Sequence, residues 1–117
     1  PMKKEEISNI VYSANCQDCN SVYIGETKQL GVERIKGHYN DNKKAWKDNS
    51  PNPDKNTYAT AFAKHIAITK HNPEIKNWEI CCIEPNFEKR KIKEMAYILK
   101  NQNSNSIDFE RGVKGLS

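Results

Sequence analysis

The chain has 117 residues, a net charge of +4 and 36% hydrophobic residues. That length supports one domain with one modest core, and the composition contains no apolar run of membrane-spanning length and no signal-peptide core. The mild basic balance is compatible with a polyanionic partner without establishing one. Residues 1–117 are read as a single domain with its core over about 7–110, and Pro1 in place of an initiator Met points to a fragment of a larger protein. The four cysteines include the vicinal pair Cys81-Cys82, which suits a reducing intracellular compartment better than a disulfide framework.

In chain order, residues 1–6 are a polar lead-in. Ile7 to Ala14 is β-rich, and Val22 to Ile24 is a second short strand. Between them, turn-type Asn and Asp stand beside Cys16 and Cys19, so the pattern predicts an antiparallel hairpin whose loop is a Cys-x-x-Cys knuckle. Thr27 is an N-cap candidate for a helix carrying Leu30, Val32, Ile35 and Tyr39, weakened at Gly31 and Gly37. Residues 40–56 are polar and read as a surface insertion, with Trp46 their only large apolar side chain. Tyr58 to Thr69 has helical spacing through Ala59, Phe62, Ala63 and Ile66, and stops before His71-Asn72-Pro73. Asn77 to Ile83 is the third strand. Asn86 caps a last helix whose core stripe is Ile92, Met95, Ala96 and Leu99, followed by an Asn- and Ser-rich tail. The order β-β-α-α-β-α predicts an α+β fold, a small antiparallel sheet flanked by helices.

Two constellations carry chemistry. Cys16 and Cys19 have zinc-knuckle spacing, and His65 and His71 fall within the usual His–His range for zinc. The gap between the pairs is too long for a finger that enters a DNA groove. The four ligands would instead form a Cys2His2 zinc clasp between the hairpin loop and the end of the second helix. Six residues turn a helix through about 240°, so His71 has to come from the turn after that helix. A redox reading of Cys16 and Cys19 needs a helix after the first cysteine, and a strand follows instead. Cys81 and Cys82 alternate across a strand and read as packing.

The second constellation is Tyr12, Tyr23, Arg34, His38 and Glu94, side-chain types suited to cutting phosphodiesters. Glu94 is a hard oxygen ligand for one Mg²⁺ or Mn²⁺, and Arg34 offers a guanidinium fork to phosphate oxygens. His38 lies one turn beyond Arg34, on the same helix face, where it can position or deprotonate an attacking water. A tyrosine is protonated near pH 7, so Tyr12 or Tyr23 acts as a base only if nearby cations lower its pKa. Basic residues Lys89, Arg90, Lys91 and Lys93 flank Glu94, and Lys43, Lys44 and Lys47 lie in the insertion. Such side chains supply salt-dependent DNA affinity with little sequence information.

Ile10-Val11-Tyr12, Tyr23-Ile24-Gly25, Arg34, His38 and Glu94, in that order, resemble the GIY-YIG endonuclease superfamily, although Ile10 stands where that family usually has Gly. The Cys-x-x-Cys between the half-motifs, Thr60-Ala61-Phe62-Ala63-Lys64-His65, His71 and Glu84-Pro85-Asn86-Phe87 are most similar to the endonuclease domain of Penelope-like retroelements. The resemblance covers about residues 9–110. It implies a metal-dependent DNA endonuclease with Tyr12 as general base, nicking target DNA in the nucleus. A reverse transcriptase region of the parent polypeptide would then prime from the nick, as in target-primed reverse transcription for retroelement integration. The family's late asparagine aligns with Asp108, with Asn103 and Asn105 as neighbours, and its role stays open. A second reading, left open by Ile10, is a non-catalytic zinc-stapled nucleic-acid-binding module.

Overall fold

Strand β1 (Ile10–Cys16) is the interior strand of a three-stranded antiparallel sheet, between β2 (Val22–Thr27) and β3 (Ile75–Ile83). The structure is a computed structural model that describes residues 2–52 and 58–101. Its helices are α1 (Gly31–Trp46), α2 (Ala61–Thr69) and α3 (Phe87–Lys100), and a 3-10 turn at Lys4–Glu6 precedes the sheet. The element order is the β-β-α-α-β-α that the sequence predicts, and the fold is a small α+β arrangement.

Strand register decides which face each side chain occupies. Tyr12 lies opposite Gly25 on β2, and Ala14 lies opposite Tyr23 on β2 and Trp78 on β3. Because side chains alternate along a strand, Tyr12, Ala14, Cys16, Tyr23 and Gly25 share one face. Helices α1 and α2 cover that face. Phe62 and Ile66 of α2 are buried against Ala14 and Cys16, with Tyr23, Ile35, Ile75 and Trp78 packed around them. Burying a side chain of the size of Phe62 or Ile66 contributes roughly 1.5–3 kcal/mol of transfer free energy. Small residues, Ala45, Ala63 and Ala67, join α1 to α2. On the opposite face, α3 is held by Arg90 Nε donating to Glu26 Oε1 (2.7 Å) and by the Tyr97 hydroxyl donating to the Cys81 carbonyl (3.1 Å).

Helix ends follow local chemistry in two cases. Thr60 Oγ1 accepts from Ala63 N (3.0 Å) at the start of α2, and Asn86 Oδ1 accepts from Lys89 N (2.9 Å) at the start of α3. Asn86 is the cap expected from sequence. Thr27 is not a cap: it ends β2, and its Oγ1 accepts from Gln29 N (3.0 Å), while α1 begins at Gly31 after Leu30. Gly31 does not weaken the helix. A Cβ there would lie 2.5 Å from Trp78 Cη2, so the missing side chain is what lets the indole pack against the first turn of α1.

Two further expectations are corrected. The polar stretch does not leave the helix at residue 40, because α1 runs on to Trp46. Asn42 is fully buried there, its Nδ2 donating to the Pro73 carbonyl (3.2 Å), and Ala45 is 4% exposed. Two turns of polar sequence are therefore held by tertiary contacts. The α3 stripe is also not core. Ile92, Met95 and Leu99 are 69%, 48% and 78% exposed, and α3 docks through the side that carries Arg90 and Tyr97. Asn103, Asn105 and Asp108 lie outside the described residues.

Candidate functional site

Tyr12 is 1% exposed, and its phenol lies across Gly25 of the neighbouring strand. A Cβ at Gly25 would stand 2.7 Å from the Tyr12 hydroxyl oxygen and 2.8 Å from Tyr23 Cε2. The glycine is thus required by the close approach of two tyrosine rings. On α1, Arg34 and His38 are four residues apart and share a helix face. The Tyr12 hydroxyl and His38 Nε2 are 2.6 Å apart. The His38 ring also meets Tyr23 edge-on, with centroids 4.9 Å apart, and Tyr23 stacks at a tilt on Phe62 at 5.9 Å.

The electrostatics fix the direction of that hydrogen bond. Burial, reinforced by the Arg34 charge, pushes His38 down to about 3 from 6.5, so the imidazole is neutral. Burial raises the Tyr12 phenol well above its ordinary value, with Arg34 opposing by charge and by hydrogen bonding. With the Arg34 charge acting on the Tyr12 oxygen, the favoured arrangement has the hydroxyl donating to His38 Nε2. His38 Nδ1 then carries the ring proton; it is buried and has no hydrogen-bond partner. An unsatisfied buried group of this kind is costly and marks the histidine as more than packing. His38 is 0% exposed, and its Nε2 faces the Tyr12 hydroxyl.

Glu94 projects from α3, on the other side of the sheet. Its side chain is 16% exposed, and Lys91 Nζ sits 3.2 Å from Oε1. Burial raises its pKa; Lys91 opposes that shift and the carboxylate of Glu26 adds to it. Glu94 and Glu26 both act electrostatically on Tyr12. Tyr12, Tyr23 and His38 are in ring contact, the Arg34 charge acts on both tyrosines, and Glu94, across the sheet, acts on Tyr12 by charge. A half-buried carboxylate beside a second one suits a hard divalent cation that keeps most of its waters. Glu26 is missed by the sequence reading, although its position two residues past the Tyr23-Ile24 pair places it on the α3 side of β2.

Of the basic residues beside Glu94, Lys89, Lys91 and Lys93 are exposed, with Lys91 paired to Glu94 and Lys93 to Glu84 (2.8 Å). Arg90 is corrected: it is 3% exposed and paired with Glu26. A side chain so enclosed does not meet DNA.

Cys16, Cys19, His65 and His71 converge, with their ligand atoms all within 4.8 Å of one another. Cys16 Sγ is 3.4 Å from His71 Nδ1, and Cys19 Sγ is 3.5 Å from His65 Nε2. Tetrahedral zinc with bonds of about 2.3 Å to sulfur and about 2.0 Å to nitrogen sets sulfur–nitrogen separations of about 3.5 Å. The donor set and spacing therefore fit a tetrahedral ion. Local chemistry builds the site. The Ser21 N–H donates to Cys19 Sγ (3.5 Å), and the Asn72 N–H donates to Asp18 Oδ2 (2.8 Å), tying the knuckle to the far turn. Lys70 ends α2 in the left-handed region at φ 60 and reverses the chain, so His71 returns towards His65 from beyond the helix. Lys70 Nζ donates to the Trp46 carbonyl (3.0 Å) and to the Asp48 carbonyl, anchoring a conformation that lysine seldom adopts. Burial pushes the Cys16 thiol up, and a bound cation is what makes a thiolate favourable there. No helix among the described residues is long and apolar enough to cross a membrane.

A family model described as the GIY-YIG catalytic domain matches residues 8–108. Comparison with curated proteins and with solved structures returns no match.

Two outcomes follow from this geometry. Protein purified without chelator should carry about one tetrahedral metal ion per chain, with zinc the ion this donor set suits, checked by elemental analysis. Chelation or Cys16→Ser lowers the thermal midpoint sharply, because metal-binding free energy is folding free energy in a small domain; an unchanged midpoint on metal removal contradicts the clasp. The second outcome concerns acid. Between pH 6.5 and about 3 the unfolded chain holds a proton on His38 that the folded one lacks, so stability is lost as pH falls through that window. The loss is on the order of 5 kcal/mol. Urea unfolding of wild type and His38→Gln across that range separates this term from protonation of the clasp histidines. The variant should show the shallower slope, and equal slopes contradict the assignment.

Proposed function

The chain belongs to the GIY-YIG catalytic domain family, whose members are nucleases, and from that premise we propose a divalent-metal-dependent DNA endonuclease of the Penelope-like retroelement kind. The observation that carries this reading is the Tyr12–His38 hydrogen bond beside Arg34, facing the Glu94 carboxylate. The Cys-x-x-Cys between the two half-motifs, joined to His65 and His71, supports the narrower assignment. The clasp ion is zinc in this reading, and it is structural. Four protein ligands leave no position for a water nucleophile.

Each residue then has a task. Arg34 holds a non-bridging phosphate oxygen and stabilises the charge that develops there. Glu94 would hold the catalytic ion, Mg²⁺ or Mn²⁺, which when bound would supply Lewis-acid stabilisation of charge on the phosphodiester. Tyr12 takes a proton from the attacking water while its own hydroxyl proton passes to His38 Nε2. The water oxygen bonds to phosphorus as the bond to the 3′ oxygen breaks, and the departing oxygen takes a proton from solvent to leave a 3′ hydroxyl. In the resting protein this relay is silent, because the Arg34 charge and burial hold His38 neutral and weakly basic. An arriving phosphate offsets the guanidinium charge and makes proton acceptance by His38 easier. Tyr23 packs against His38 and orients it. Exposed Lys89, Lys91 and Lys93 supply phosphate contacts.

The nick would serve a reverse transcriptase elsewhere in the parent polypeptide, which extends the 3′ hydroxyl in the nucleus. The non-catalytic alternative loses ground on one observation. Ile10, the departure from the usual glycine, is 0% exposed and absorbed into the core, while Tyr12 keeps its contact with His38.

The test is nicking of supercoiled plasmid with and without Mg²⁺. Wild type should nick only with the ion. Glu94→Gln, which keeps shape and loses charge, should fold, retain DNA binding and lose cleavage by about a hundredfold or more. Cleavage at the wild-type rate by that variant would remove Glu94 from the site.

A further inference from the structure

Arg90 is the most enclosed charged side chain among the described residues, and DNA binding does not account for it. Its Nε donates to Glu26 Oε1 on β2 at 2.7 Å. Its Nη1 lies 3.3 Å from Asn9 Oδ1, 3.1 Å from the Glu84 carbonyl and 3.3 Å from the Pro85 carbonyl. The guanidinium also sits over the Phe87 ring, 5.7 Å from its centroid. One side chain thus joins the residue before β1, the edge strand β2, the β3–α3 loop and the first turn of α3. Asn9 is held from two sides. Its backbone is in the left-handed region at φ 57, which asparagine tolerates better than most residues, and its carbonyl accepts from Glu84 N at 2.7 Å.

Glu94 is four residues beyond Arg90 on the same helix, so it stands one turn further along the same side. Whatever fixes Arg90 fixes where the Glu94 carboxylate lies against Tyr12. Arg90 also neutralises Glu26, whose carboxylate acts directly on Glu94. Without the guanidinium, Glu26 would be a second uncompensated carboxylate beside Glu94. We infer that Arg90 is a positioning residue for the catalytic metal site, locking α3 onto β1 and β2 so that Glu94 faces the tyrosine–histidine pair with Glu26 held out of competition. The inference rests on the reading of Glu94 as the metal ligand. Lysine cannot replace the fork, because an ammonium is a point charge without the planar geometry that reaches three chain segments at once.

The test uses protein with its clasp metal in place and compares wild type, Arg90→Lys and Glu26→Gln. Three quantities are read: Mn²⁺ affinity with the metal alone, the plasmid-nicking rate at saturating DNA, and the DNA concentration giving half that rate. Arg90→Lys should bind Mn²⁺ roughly tenfold more weakly and nick roughly ten- to a hundredfold more slowly, with half-saturation by DNA within about twofold of wild type. The clasp metal content should not change, since that site lies on the other face of the sheet.

Wild-type Mn²⁺ affinity and rate in Arg90→Lys would overturn the inference. So would a raised DNA requirement with an unchanged saturating rate, which is the signature of a DNA contact. If Arg90→Lys does not fold, Glu26→Gln carries the test: it replaces the charge-assisted bond to Nε by a weaker neutral one and leaves the guanidinium uncompensated near Glu94, so the lock loosens and the same split must appear, and wild-type behaviour there overturns the inference. A wild type that binds Mn²⁺ through Glu94 without nicking would sink the nuclease assignment alone, leaving the Arg90 inference to be decided by the Mn²⁺ shift. A wild type that does neither removes both.

Discussion

The alternation of side chains along β1 is the constraint from which the rest of the molecule follows. This strand is hydrogen-bonded on both edges and covered on both faces, so its register has no freedom. Positions 12, 14 and 16 point to the α1–α2 side. Tyr12 reaches His38, Ala14 lies under Phe62 and Ile66, and Cys16 reaches His71. A slip of one residue would turn all three to the wrong face at once. The clasp opposes that slip, because it joins the end of β1 to the turn after α2 just where the hairpin would otherwise fray. Among the described residues the buried apolar set is small, and a domain with so thin a core gains from a metal staple. The staple and the tyrosine site are consequences of one strand geometry, four residues apart.

The same sheet separates two electrostatic environments that the proposed chemistry needs to bring together. On one face a neutral histidine, a protonated tyrosine and a guanidinium share a buried space in which extra positive charge is disfavoured. On the other, two carboxylates are balanced by Lys91 and Arg90. Neither side alone offers both a cation ligand and a proton acceptor. Tyr12 senses both, because the Arg34 charge and the Glu94 and Glu26 charges act on it with opposite sign. A phosphodiester binding at their junction would meet the guanidinium first and the metal-binding carboxylate across the strand.

Much of this arrangement is legible in the sequence, and the parts that are not have a common cause. The hairpin with its knuckle, the third strand and the Asn86 cap are local features, written in turn residues, β-branched runs and capping chemistry. The origin of His71 beyond the helix end follows from helical rotation alone, and Lys70 in the left-handed region provides the reversal. Failures occur where a distant partner decides. Asn42 reads as loop, yet it is buried because a carbonyl 31 residues away accepts its amide proton. Arg90 reads as a surface cation, yet four acceptors from three separate segments enclose it. Ile92, Met95 and Leu99 have the spacing of a core stripe, yet the polar side of α3 docks and the apolar side faces outward. In each case a polar side chain gains burial through a tertiary hydrogen bond, which periodicity cannot reveal.

In the proposed reaction the buried hydroxyl of Tyr12, bonded to His38, takes part in breaking the phosphodiester. Tyr12→Phe removes that oxygen and leaves the ring in place over Gly25. The most direct measurement is therefore single-turnover plasmid nicking by this variant at saturating Mg²⁺, alongside its thermal midpoint and clasp metal content. The rate should fall by about 10²- to 10⁴-fold, the scale of a lost acid–base group, with fold and clasp intact. A rate equal to wild type would contradict the role of that hydroxyl.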